Sequence, residues 1–179
     1  MQTQSPVDPV PVLVLTGTIG AGKTSVGRAA SHLLGERGVP HALIDLDWME
    51  TFWTPLRDDD VDEGVLHRNV ASVWANYRAA GCSRLIFSRV VEAPVVLERL
   101  VAAVPGARPV VVWLDAPAEQ TLRRLRAREP DDPSWFLDAS VRVAQRVVPA
   151  EVAQHVIAVA DHSPGQLARQ VLRAVGWWD

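Results

Sequence analysis

Gly17-Thr18-Ile19-Gly20-Ala21-Gly22-Lys23-Thr24 decides the reading of this chain. Its spacing, G-x-x-x-x-G-K-T, is that of a phosphate-binding loop. Backbone N–H groups cradle phosphate oxygens, the lysine reaches the β and γ oxygens, and the hydroxyl takes Mg²⁺. Lys23 is the only lysine in a chain whose other basic side chains are arginines. Keeping lysine here suits a position that needs a compact point charge rather than a planar guanidinium. Residues 17–25, from Gly17 through Ser25, are the expected nucleotide-binding residues.

The flanks support the motif. Val10 to Leu15 is an apolar run that fits a buried parallel strand. After Lys23, apolar residues recur at Val26, Ala29, Ala30, Leu33 and Leu34 with helical spacing. A phosphate-binding loop is credible only between a strand and a helix, and the helix N-terminus adds its dipole. Beyond it the alternation continues. Strands are expected over 41–44, 84–88, 109–114 and 155–159, with helical periodicity over 66–77, 96–104, 118–128, 134–147 and 167–175. The pattern predicts an α/β protein: a three-layer αβα P-loop NTPase fold on a parallel five-stranded sheet.

The chain of 179 residues, 48% apolar and 22% charged, is sized and composed for one soluble globular domain. Residues 10–179 are expected to form it, with a lid around 123–135. Residues 1–9, polar and carrying Pro6 and Pro9, are read as a flexible tail without the regions of a signal peptide. A net charge of −3 argues against nucleic acid or anionic membrane as a partner. Cys82 is the only cysteine, which excludes an intrachain disulfide and points to a reducing cytoplasm. A monomer or homodimer is expected, and no apolar run has the length of a membrane span.

Asp45-Leu46-Asp47 follows the second expected strand. In an open α/β sheet, ligands bind outside the carboxyl ends of the strands. Two carboxylates one residue apart lie on the same side of an extended chain. One could help hold hydrated Mg²⁺, and the other could accept the proton of an attacking hydroxyl. The alternative is a pair of solvated loop carboxylates or helix N-caps.

With this loop, this strand-end pair and one small domain, the chain resembles the P-loop small-molecule kinases: shikimate, gluconate and adenylylsulfate kinases and chloramphenicol phosphotransferase. Residues 116–124, Ala-Pro-Ala-Glu-Gln-Thr-Leu-Arg-Arg, are similar to the shikimate kinase segment in which an arginine helix leads into a mobile lid. The resemblance implies ATP and Mg²⁺ as cofactors. It also implies Arg123 or Arg124 against the nucleotide and Arg126 or Arg128 in the lid. The chain departs from adenylylsulfate kinases in lacking a basic residue within Asp45-Leu46-Asp47-Trp48-Met49-Glu50. No Asp-Glu-x-x-Gly motif appears, which argues against a motor or AAA-type ATPase. The absence of Asn-Lys-x-Asp favours adenine over guanine.

The four arginines at 123, 124, 126 and 128 cover more than one helix face and cannot all point at one ligand. Phosphoryl transfer is mostly positioning plus charge stabilisation, a task one or two of them suit. On the acceptor side, Trp48 and Trp53 could wall a pocket, the acidic run Asp58–Asp60 could draw in a cationic group, and Arg89 could hold an anionic or hydroxyl-rich acceptor. The alternatives are a packed helical cap, solvated acids and a surface arginine. Trp177 and Trp178 are expected to cover a hydrophobic edge or an interface.

The expected reaction is transfer of the γ-phosphoryl of Mg-ATP to a small-molecule hydroxyl. Lys23, Asp47, Arg124 and Arg128 are the expected catalytic residues. Arg123 is placed on the nucleotide, Thr24 and Asp45 on the metal, and Asp47, Trp48, Trp53 and Arg89 on the acceptor. Rival readings are an adenylylsulfate or nucleotide kinase, and an ATP-binding sensor without acceptor chemistry.

Overall fold

The computed structural model describes residues 8–49, 51–55, 59–128 and 134–179. Strands β1 (Val10–Thr16), β2 (Ala42–Asp45), β3 (Leu85–Ser88), β4 (Ala107–Asp115) and β5 (His155–Ala158) alternate with helices α1 (Lys23–Glu36), α2 (Asp59–Ala79), α3 (Pro94–Ala102), α4 (Ala118–Arg128), α5 (Ser134–Arg146), α6 (Pro149–Val152) and α7 (Pro164–Ala174). The strands form one parallel sheet in the order β2-β3-β1-β4-β5. The expected strands and long helices are all present. The one-turn α6 and a short 3₁₀ helix, Leu46–Trp48, are additions whose length is too small to give a periodic signal.

Strand alternation builds two cores, one on each face. Val12 and Val14 of β1, Leu85 and Phe87 of β3, and Val111 and Trp113 of β4 face α2, α3 and α5, where they meet Leu66, Val70, Trp74, Leu100 and Val143. Leu13, Leu15, Ile86, Val112 and Leu114 point the other way, onto Val26, Leu33 and Leu34 of α1 and Leu167, Val171 and Leu172 of α7. A sheet buried on both faces explains why its strands read as continuous apolar runs. Pro11 and Pro109 fit because each lies where its strand has only one neighbour. β3 joins β1 from Val12, and β5 joins β4 from Val112.

Trp177 and Trp178 pack against the α1–α7 core, with Arg37 3.5 Å from the Trp178 ring centroid and Arg84 5.3 Å from that of Trp177. They cover a hydrophobic edge. The lid expectation meets regular structure at both ends: residues 123–128 belong to α4 and 134–135 to α5, while 129–133 lie outside the described residues. Asp58 also lies outside them, as do the side chains of Asp59 and Asp60, so the acidic-run reading falls there.

Candidate active site

The loop between β1 and α1 is shaped by positive φ angles at Gly17 (139°), Gly20 (88°) and Gly22 (99°). A Cβ on Gly17 would lie 2.6 Å from the Leu114 carbonyl oxygen, and one on Gly20 3.0 Å from that of Thr121. The loop is therefore pressed against β4 and α4, and only glycine combines that approach with that backbone. Two side chains brace it. Ser140 of α5, buried, donates to the Ile19 carbonyl at 3.0 Å, and Arg124 of α4 donates to the carbonyls of Gly20 (3.4 Å) and Ala21 (3.3 Å).

Lys23 opens α1 and is only 7% exposed. Its Nζ donates to the carbonyls of Gly17 (3.2 Å) and Thr18 (3.0 Å), folding back across the loop. Burial lowers its pKa from 10.5 to about 8; Asp47 and Asp45 pull it up, and Arg128 pushes it down. An anion at the loop would favour the charged form and hold it to higher pH.

Thr24 donates its hydroxyl proton to Asp45 Oδ2 at 2.7 Å. That leaves the hydroxyl lone pairs available to a hard cation, next to a carboxylate. Among the described residues no group of three His, Cys, Asp or Glu side chains could cage a metal. Thr24 and Asp45 fit Mg²⁺, which keeps several waters and takes the rest of its shell from phosphate oxygens.

The Asp pair departs from the extended geometry expected. Asp45 ends β2 and N-caps the 3₁₀ helix, accepting from the Asp47 N–H at 3.3 Å. Asp47 sits inside that helix. The turn separates the two carboxylates: Asp45 goes to Thr24, and Asp47 lines the cavity over the loop. The capping alternative thus applies to Asp45.

That cavity, about 690 Å³, is lined by Lys23, Thr24, Asp47, Arg124, Arg128 and Trp135, among others. Helix periodicity sorts the arginines: Arg124 and Arg128, four residues apart, line it, whereas Arg123 is exposed and does not. Arg128 lies 4.9 Å from the Phe136 ring centroid. Trp48 and Trp53 are 76% and 83% exposed and do not line it; Thr51 and Phe52 of the same stretch do. The aromatic wall comes instead from Trp135 and Phe136, packed edge to face with centroids 4.8 Å apart. The sequence reading gave their helix no functional face.

Beside it, and sharing Ile19, Asp47, Val90 and Trp135, is a second cavity of about 320 Å³. Arg89 lines it with Glu92, Arg142 and Arg146. Arg89 is held in place by its own backbone: its N–H donates to Leu15 at 3.1 Å, and the Val91 N–H donates to the buried Thr16 hydroxyl at 2.8 Å. Arg142 and Arg146 were missed. Their signal was the spacing Trp135, Ala139, Arg142, Arg146, which marks one face of α5.

The chain is similar to known proteins in sequence and fold. A shikimate kinase of Synechococcus elongatus is 30% identical over 125 residues, covering 63% of this chain and 56% of its own length. The chain therefore matches little more than half of that relative. A gluconokinase from Sinorhizobium meliloti superposes with a TM-score of 0.63 at 19% identity, covering 93% of this chain and 91% of that one. The APS kinase of Mycobacterium tuberculosis, solved with AMPPNP and APS, gives a TM-score of 0.59 at 20% identity and covers 94% and 98%. The fold is that of the P-loop small-molecule kinases. The matching family carries the description AAA domain, which corrects the expectation that set AAA-type proteins aside. The match runs over residues 13–142, from β1 into α5 and across every loop residue of the cleft, and by it the chain belongs to the AAA domain family.

Proposed function

We propose that the chain is a kinase that transfers the γ-phosphoryl group of Mg-ATP to a hydroxyl of a small molecule. One observation carries the reading: Asp47 lines both the cavity over the phosphate loop and the smaller cavity beside it. A transfer enzyme needs a proton acceptor at that junction; a site that only binds nucleotide does not.

The loop amides of residues 17–24 and Lys23 hold the β- and γ-phosphates. Thr24 and Asp45 are the residues that would hold Mg²⁺, which when bound offsets phosphate charge. Asp47 takes the acceptor hydroxyl's proton as its oxygen bonds to the γ-phosphorus. The bond from that phosphorus to the β–γ bridging oxygen breaks, and ADP leaves with the electron pair. Arg124 and Arg128, on the lining face of α4, stabilise the charge spread over the transferring oxygens. Phe52, Trp135 and Phe136 give the cleft an apolar wall.

The test is transfer of γ-labelled phosphate from Mg-ATP into a pooled panel of sugars, hydroxy acids, antibiotics and nucleosides, with Lys23→Ala as the blank. Label in one compound class that vanishes in the blank supports the kinase. ATP binding without label in any acceptor, or with label only in water, overturns it and leaves a nucleotide-binding module.

A further inference from the structure

We infer that Ser140 is a positioning residue for nucleotide binding: its hydroxyl holds the Ile19–Gly20 peptide so that the Gly20 N–H stays turned toward the phosphate. The inference rests on the phosphate role that the kinase reading gives the loop, and not on transfer to an acceptor.

A trans peptide sets its C=O and N–H on opposite sides of the chain, so whatever fixes one end of the plane fixes the other. Three such planes join Ile19 to Gly22. The middle one, Gly20–Ala21, is held at both ends: Arg124 donates to the Gly20 carbonyl at 3.4 Å, and the Ala21 N–H donates to the Thr18 carbonyl at 3.1 Å. The outer two are held at the carbonyl end alone. Ser140 donates to the Ile19 carbonyl at 3.0 Å and Arg124 to that of Ala21 at 3.3 Å, while the N–H groups of Gly20 and Gly22 have no acceptor among the described residues. Both glycines line the larger cavity. The free donors are thus those whose planes are tied from behind by a side chain.

The Ile19–Gly20 plane needs its tie. A peptide flip changes ψ of the residue before the plane and φ of the residue after it, and leaves the path of the chain almost unmoved. Gly20 has a φ of 88°, and glycine takes the opposite sign as readily, so the backbone alone does not forbid the flip. A flipped plane would turn the Ile19 carbonyl oxygen to the cavity in place of the Gly20 N–H, and a carbonyl repels phosphate. Ser140 is suited to prevent this. It is 4% exposed, so water does not compete for its proton. A serine inside a helix commonly bonds back to its own preceding turn. This one reaches instead to a loop 121 residues away. Its helix, α5, packs its buried Ala139 and Val143 beside the serine, which fixes where the hydroxyl stands.

Calorimetric titration with Mg-ATP in the absence of acceptor tests the tie without requiring turnover. Ser140→Ala removes the hydroxyl. Ser140→Thr and Ser140→Val share one shape, so that pair isolates the hydroxyl even where the added methyl crowds the helix. Ser140→Ala and Ser140→Val should bind Mg-ATP about three- to tenfold more weakly than the parent and Ser140→Thr, because the flipped plane becomes a populated competitor. The plane itself can be watched. Ile19–Gly20 is the only Ile-Gly pair in the chain, so ¹³C-carbonyl isoleucine with ¹⁵N-glycine gives one coupled amide signal, that of Gly20. In the parent and in Ser140→Thr it should be single and should move when Mg-ADP binds. In free Ser140→Ala and Ser140→Val it should split, broaden or shift. Mg-ATP affinity within about twofold of the parent in both hydroxyl-free variants overturns the inference alone. So does equal affinity in Ser140→Thr and Ser140→Val, or a Gly20 signal that neither hydroxyl-free variant alters. A parent protein that binds no Mg-ATP overturns the inference and the kinase reading together.

Discussion

The loop end of the cleft comes from consecutive residues, 17–25, whereas the smaller cavity beside it is assembled from Asp47 after β2, Arg89 after β3, and Trp135, Arg142 and Arg146 of α5. In the proposed reading the backbone is the binding group at the first end, and the glycines shape it. At the second, proposed for the acceptor, the side chains are the binding groups, and the sheet only brings their elements together. Changes at the phosphate end should therefore be severe and general, and changes at the acceptor end graded and specific to one substrate.

Lys23→Ala gives the largest effect expected. It removes the loop charge proposed to reach the β and γ oxygens, and transfer should fall by about 10³-fold or more. Gly17→Ala tests the backbone side of the same end. Its Cβ must clear a carbonyl oxygen at 2.6 Å from a φ of 139°. Strain of this kind costs about 1–3 kcal/mol, so urea unfolding should show the loss along with weakened ATP binding. A variant with normal ATP affinity and stability would show that the loop tolerates a different shape.

Asp47→Asn comes next and crosses from one end to the other. The amide keeps the size but cannot take a proton. kcat should fall by about 10²-fold, within the span of general-base effects, while ATP affinity moves by about threefold or less. Equal losses in both would place Asp47 on the nucleotide rather than on the acceptor.

The same division explains how far the sequence could be read. Local rules placed the strands, the long helices and the phosphate loop, because apolar period and glycine spacing act over a few residues. Helix geometry also states that Arg123 and Arg124 face differently, yet only the position of α4 against the loop decides that Arg124 faces inward. The Asp45-x-Asp47 pair was found, but the 3₁₀ turn that parts its carboxylates was not, since three residues carry no period. Trp135, Ser140, Arg142 and Arg146 look like an ordinary amphipathic helix. Nothing within α5 says that its polar face meets a loop 121 residues away through Ser140 and Ile19.

Lys23 also sets a pH dependence with two opposite signs. In the free protein it loses its proton near pH 8, below its ordinary 10.5. ATP phosphates restore the charge, so binding above pH 8 must take up a proton. Affinity should be flat below about pH 8 and then fall by up to about tenfold per unit. Enthalpies measured in buffers of different ionisation heat should report uptake approaching one proton at pH 9 and none from this group at pH 7. Stability of the free protein runs the other way. Between about 8 and 10.5 the unfolded chain binds more protons at Lys23 than the folded one, so this residue's contribution rises with pH. Lys23→Met should flatten the stability profile, melt higher than the parent at pH 7, and bind no ATP. A lower melting temperature would mean that the bonds to Gly17 and Thr18 outweigh the cost of burying the charge.

The smallest effects separate the aromatic residues and refine the acceptor end. Sequence alone favoured Trp48 and Trp53, because they follow the Asp pair. Both are largely in solvent and outside either cavity, so Trp48→Ala and Trp53→Ala should leave kcat/KM within about twofold. Trp135 is also more than half exposed, but it lines both cavities and packs on Phe136. Trp135→Ala should raise the acceptor KM by about tenfold with a smaller change in the KM for ATP, since a bound ring or apolar face loses its partner. Trp135→Phe should recover most of the loss. If Trp48→Ala or Trp53→Ala proves the more damaging, the loop after β2 must fold over the cleft when acceptor binds, and proximity in sequence would be the better guide to the acceptor wall.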